Sequence, residues 1–310
     1  MTAVDNGSST AIPGAVDRYL FEGKVRLIGF GKFYPNPKGV LEKQDWSLRP
    51  FNNQEEAAQQ TGHSITRYLP KIARDFGLGK MLYAPSPRLF NAQVCSESDT
   101  MKKRIMVTSP DYHNTEWLLR GADADGMLLS RGHTYMVSPA GCPVLIVWDE
   151  ATSTLGVAHA GMRSLINEDA LKGNPEARRS ESVVYNLLDA MGCTTKRQCR
   201  ALRAAIVFPI DPALLTYSWD HPDYGPLNKK RSVYVAGYYG ELCAPGFNDP
   251  VQCTLGRINV EMIIRLQLYA RGVHPRGVLT IPSPPSAVWR STRDPGEDPN
   301  ARNGVWVQHL

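Results

Sequence analysis

No run in this 310-residue chain comes near the roughly 18 consecutive apolar positions that a membrane-spanning helix needs. Nor does the chain open with a basic segment followed by a short apolar one, the mark of a secretory signal. A cytoplasmic setting is therefore expected, with no membrane partner. No Gly-x-Gly-x-x-Gly or Walker A sequence occurs, which argues against a nucleotide cofactor. The six cysteines, Cys95, Cys142, Cys193, Cys199, Cys243 and Cys253, are irregularly spaced and form no Cys-x-x-Cys pair. That excludes a zinc ribbon and marks them as thiols. Net charge is only +5. The basic runs 101–104 and 228–231 carry no interleaved aromatics, so small anions suit the chain better than nucleic acid.

What is present describes a globular protein: 42% of residues are hydrophobic and 21% charged. Residues 1–20 are expected as a flexible N-terminal tail and 21–310 as one domain, with a polar surface loop over 294–303. Strand-like runs occupy 25–33, 88–94, 103–108, 125–129, 135–138, 144–148, 155–159, 201–210, 232–239, 278–281 and 305–307. Helical patterning covers 53–76, where Pro70 predicts a break or kink, as well as 180–191 and 259–271. The run 149–153 reads as the loop of a hairpin. Without a regular βαβ alternation, the fold class is α+β, a sandwich rather than a doubly wound sheet.

Within that pattern Gly141-Cys142-Pro143-Val144-Leu145 is followed, seventeen residues after the cysteine, by His159-Ala160-Gly161-Met162-Arg163. The hairpin makes the two strands neighbours, so a thiol and an imidazole face each other and can share a metal or a proton. The small pair Ala160-Gly161 leaves room beside the ring, and Arg163 adds a cation suited to an anionic ligand.

These residues resemble a family. Ala122-Asp123-Ala124-Asp125-Gly126, the cysteine segment and the histidine segment are similar to the "ADA … DCxPVL … HAGWRG" core of the laccase-domain proteins. This family is also called YfiH-like or multicopper polyphenol oxidases, and its members are viewed largely as purine nucleoside phosphorylases. Thr66-Arg67 with Phe76-Gly77-Leu78, Gln267-Leu268 with Gly272-Val273, and Trp289-Arg290-Ser291-Thr292-Arg293-Asp294 resemble further family motifs, so the likeness runs over about residues 25 to 310.

The resemblance implies a single-domain, monomeric α/β/β/α sandwich with mixed sheets. It also implies a zinc ion, or alternatively copper, on one cysteine and two histidines. The implied reaction is phosphorolysis of adenosine, inosine, guanosine or methylthioadenosine, with adenosine deamination alongside; copper-dependent polyphenol oxidation is the older reading. On this pattern the metal ligands are His113, Cys142 and His159, with Cys95 as the alternative to His113. Cys142, His159, Asp125 and Arg163 carry the chemistry, and Arg67, Arg163, Ser291 and Arg293 hold nucleoside and phosphate. The chain departs from the family at Cys95, where a ligand histidine is expected, at Gly141 in place of aspartate, and at Met162 in place of tryptophan. Two rival readings use the same residues: a thiol hydrolase or deamidase with Cys142 as nucleophile and His159 as base, and a binding protein that has lost turnover.

Overall fold

A computed structural model describes residues 4–5, 12–51, 53–60, 62–79, 81–86, 92–112, 115–167, 182–209, 226, 230, 259–285, 287–289 and 301–310. The strands are β1 (Val4–Asp5), β2 (Val16–Leu20), β3 (Val25–Phe30), β4 (Phe33–Pro35), β5 (Leu41–Lys43), β6 (Met81–Tyr83), β7 (Val94–Cys95) and β8 (Arg104–Thr108). They continue with β9 (Thr115–Leu119), β10 (Gly126–Leu129), β11 (Thr134–Val137), β12 (Val144–Asp149), β13 (Thr154–His159), β14 (Arg203–Val207), β15 (Val278–Ile281) and β16 (Gly304–His309). The helices are α1 (Gln54–Ala58), α2 (Ser64–Phe76), α3 (Glu97–Thr100), α4 (Met162–Leu165), α5 (Val183–Ala190), α6 (Lys196–Cys199) and α7 (Val260–Ala270). No helix among the described residues is long and apolar enough to cross a membrane.

Two mixed sheets face each other. The first has the order β1-β2-β3-β16-β11-β6-β9-β8 and the second β15-β14-β12-β13-β10-β7, with β4-β5 as a small separate hairpin. Side-chain alternation along each strand then fills three apolar layers. Val144, Ile146, Leu155, Val157, Val305 and Val307 pack between the sheets. Leu145, Val147 and Ala158 point the other way, to α4, α5 and α7. Ile28, Phe30, Leu118 and Trp306 meet α2 on the outside of the first sheet. The result is an α/β/β/α sandwich. All six residues of β12 are buried because both of its faces are covered, which is why its first five residues, up to Trp148, are an unbroken apolar run.

Helix α2 shows how sequence sets the outer layer. Ile65, Tyr68, Leu69, Ile72 and Ala73 recur at helical spacing and are all buried. His63 caps the start, accepting from the Ile65 N–H, and Gly77 ends the helix at φ 64°. The predicted break does not occur: the helix runs unbroken through Pro70, which is buried. A second difference lies at the N-terminus. Val16–Leu20, expected in a loose tail, is a strand paired along its length with β3, and Val4–Asp5 pairs in turn with β2. The strand expected over 232–239 lies outside the described residues.

The free edge of the first sheet is β8. There the Gln54 side chain accepts from the Met106 N–H at 2.7 Å and donates to the Met106 carbonyl at 3.2 Å. Met81, Trp117 and Met106 form a cross-strand row on this edge and are 39%, 37% and 43% exposed.

Candidate functional site

The hairpin β12–β13 pairs Asp149 with Thr154 at its closed end and Val144 with His159 at its open end. Ala160 then donates its N–H to the Pro143 carbonyl at 2.9 Å. The register thus continues past the strands and sets Cys142 opposite Gly161. Residues two apart on a strand share a face, so Cys142 joins Val144 and His159 on the face between the sheets. Cys142 and His159 are diagonal neighbours with Gly161 between them. A Cβ on Gly161 would lie 3.4 Å from Cys142 Sγ and 3.1 Å from His159 Cε1. The absent side chain is the gap across which thiol and imidazole meet.

On the other side of β13, the pairing of Gly126 with Ala158 brings Asp125 beside His159. The His159 N–H donates to the Asp125 carbonyl at 2.7 Å, and Nδ1 lies 3.4 Å from Asp125 Oδ1. The other carboxylate oxygen accepts from the Ala92 N–H at 2.9 Å. Ala92 holds a left-handed φ of 58°, a conformation costly to an L-residue with a Cβ. Asn186 on α5 bonds its carbonyl at 2.9 Å. Asp125 is fully buried and His159 is 7% exposed. Burial alone would push the His159 ring toward neutrality. The Cys142 sulfur, by charge and hydrogen bond, together with the Asp125 carboxylate, overcomes it and pushes the pKa up to about 10. With Nδ1 held by Asp125, Nε2 is the nitrogen left to Cys142.

The structure therefore brings together Cys142, His159 and Asp125. Arg163 follows directly on the exposed side of α4. Two expected partners, Cys95 and Arg67, do not join them. Cys95 lies on β7, two strands and two register steps from His159, roughly 12 Å by strand geometry. Its sulfur contacts Thr100 Oγ1 at 3.5 Å instead. Arg67 sits on α2, outside the first sheet, where Glu42 and Asp111 already occupy its guanidinium at 2.9 and 2.5 Å. The expectation that Arg67 holds phosphate gives way to an ion-pair role, because a whole sheet separates it from the thiol. His113, Ser291 and Arg293 lie outside the described residues; Tyr112, next to His113, packs near Tyr68 on the α2 side.

Two family departures have local explanations. Gly141 adopts φ 108°, a backbone that glycine accepts and aspartate resists. Met162 is buried in the helical layer with Leu165 and Ala160 rather than facing the thiol. The room expected beside the ring at Ala160-Gly161 is found at Gly161, whose missing side chain separates thiol and imidazole. Sequence reasoning passed over Ala92 and Asn186; nothing in the sequence marks a left-handed alanine.

A metal of the zinc or copper class takes three or more protein donors in such a site. Cys142 and His159 supply two, and among the described residues no group of three His, Cys, Asp or Glu side chains is placed to hold an ion. The described donors thus do not complete a metal site.

Comparison with solved structures decides the fold. A hypothetical protein YfiH from Bacillus licheniformis matches with a TM-score of 0.57 at 14% identity, over 95% of this chain and 96% of that one. The Neisseria meningitidis protein NMB0706, of family DUF152, matches with a TM-score of 0.59 at 14% identity, over 96% and 99%. The fold is that of the YfiH-like, laccase-domain proteins. YlmD from Geobacillus stearothermophilus agrees, with a TM-score of 0.57 at 16% identity over 97% and 94%. No protein-family model and no curated protein matches the sequence. The YfiH-like fold is retained here at very low identity, so the hairpin with its Cys142, His159 and Gly161 has to be read on its own chemistry.

Proposed function

We propose that this YfiH-like protein is a hydrolase or deamidase in which Cys142 is the nucleophile, His159 the acid and base, and Asp125 the group that orients the ring. The observation that carries the reading is the meeting of Sγ and imidazole across Gly161, with a buried carboxylate on Nδ1. A nucleophile, a base within reach and a third group fixing the base is the arrangement nucleophilic catalysis needs. The thiolate attacks an ester or carboxamide carbonyl. The imidazolium protonates the alcohol or ammonia as the C–O or C–N bond breaks, leaving a thioester on Cys142. Water then adds, giving its proton to His159, and the carboxylic acid departs as the thiolate is restored.

A second reading, a metal-dependent purine nucleoside phosphorylase, is favoured by the YfiH-like fold and by the carboxylate on Nδ1, which is also how metal-bound histidines are oriented. It requires a third donor from outside the described residues. In that case zinc would be held in part by Cys142 and His159 and would polarise phosphate or water.

One experiment separates the two. The purified protein is analysed for metal and mixed with p-nitrophenyl acetate. A burst of nitrophenol matching the protein concentration, with an acetyl group on Cys142 by mass spectrometry in metal-free protein, is expected. Stoichiometric zinc lost in Cys142→Ala, together with free base released from a nucleoside and phosphate, would overturn the thiol reading in favour of the second.

A further inference from the structure

Away from Cys142, where the closed end of the β12–β13 hairpin meets the end of β16, a cleft of about 870 Å³ opens. That volume lies within the usual range for small-molecule sites. Its inner wall is aromatic and apolar: Trp148 and Leu129 are each 3% exposed, and Cys95 also lines it. Trp148 meets the His309 ring edge-on at 5.3 Å. His309 Nδ1 donates to the Leu129 carbonyl at 2.9 Å, and burial first, then nearby Arg131, hold this ring in its neutral form. Burial likewise pushes the Cys95 thiol up, so the wall carries no charge at neutral pH.

The charged groups around the opening are unequally committed. Glu97 accepts from the Ser130 N–H at 2.6 Å and its hydroxyl at 3.0 Å, and meets His133 at 2.9 Å. Asp99 is bound by Ser96 and by Lys102 at 2.7 Å. The side chains of Lys24 and Arg131, both exposed residues, have no hydrogen bond or ion pair to any described residue. Their backbones also lie on either side of β16. Lys24 precedes Val25, which pairs with His309, and Arg131 lies just before β11, which pairs with the other side of β16. Two strand spacings put their backbones about 10 Å apart, close enough for two long side chains to close on one head group.

We propose that this cleft binds a small aromatic oxyanion, its ring against Trp148 and its carboxylate or phosphate head between Lys24 and Arg131. An aromatic ring is selected because the wall offers an indole and an imidazole, which favour ring contacts over aliphatic ones. An oxyanion is selected because Lys24 and Arg131 are the two charged side chains at the opening that have no hydrogen-bond or ion-pair partner among the described residues. The site stands apart from Cys142 and does not depend on what that thiol does.

Phenyl phosphate and benzoate serve as probes, with inorganic phosphate and cyclohexanecarboxylate as controls, in protein carrying Cys142→Ser. Calorimetry measures binding, and site-resolved alkylation of Cys95 reports whether the cleft is filled. Saturable binding of at least one aromatic probe is expected, tighter than its control and slowing Cys95 alkylation at least fivefold. Tighter phenyl phosphate assigns the head to a phosphate ester; tighter benzoate assigns it to a carboxylate. The double variant Lys24→Ala/Arg131→Ala, both surface positions, should weaken binding at least tenfold with an unchanged circular dichroism spectrum. Absence of saturable aromatic binding, equal binding of the controls, unprotected Cys95, or an affinity untouched by the double variant would each overturn the proposal.

Discussion

Cys142 and Cys95 are thiols of the same sheet with opposite surroundings. Cys142 meets an imidazole that is itself seated on a buried carboxylate, across a position with no side chain. Cys95 meets a threonine hydroxyl, and burial pushes its pKa up. The residue type is constant, so the difference in reactivity proposed for the two thiols rests on the partners that register delivers to each sulfur. On β13 that partner is a histidine; at β7 it is Thr100, the last residue of α3.

The largest test of this contrast is substitution of the thiols themselves. Cys142→Ala is expected to lower the steady-state rate on p-nitrophenyl acetate to background, a loss on the order of 10³-fold or more, whereas Cys95→Ser stays within about twofold by the same measure. Equal losses would erase the distinction. Next is the carboxylate: Asp125→Asn removes the charge that orients and supports the ring, and a loss on the order of 10²–10⁴ in kcat is expected. The readout is the pH profile of Cys142 alkylation, which should lose reactivity at neutral pH as the imidazolium is no longer favoured. A flat response would reduce Asp125 to a structural role. Gly161→Ala follows, because its methyl would press on both Sγ and Cε1. A fall of about 10- to 100-fold in alkylation rate at Cys142 is expected, with Cys95 alkylation unchanged.

The smallest effect is on stability. A ring whose folded pKa is raised stabilises fully below the ordinary histidine value near 6.5. That contribution is lost as pH rises through the folded value of about 10. The melting temperature of the wild type should therefore fall more between pH 7 and 10 than that of Cys142→Ala, whose histidine lacks its main favourable partner. Parallel curves would contradict the pairing. Differences of a few degrees are expected for a chain of this size.

Much of this was legible in the sequence. The hairpin loop at 149–153 and the seventeen-residue spacing already put cysteine and histidine on adjacent strands, because pairing in a hairpin follows from its loop. The helical stripe of α2 and the apolar run of β12 announced one-sided and two-sided burial. What stayed hidden was long-range or local to one dihedral angle. Strand β9 was missed because Glu116 interrupts its pattern, although that residue is buried. Pro70 misled because packing against the sheet sustains the helix through it. Cys95 and Arg67 misled in another way: their motifs sit at the right places along the chain, but register and layer take them elsewhere in space.

Gln54 gives the edge of the first sheet a further meaning. By engaging both the N–H and the carbonyl of Met106 it imitates a neighbouring strand for the length of one residue. Beside it lies the exposed row Met81, Trp117 and Met106, the kind of surface on which another chain can add a strand and begin to aggregate. A single amide thus acts as a stopper, standing where the first two rungs of an unwanted ladder would form.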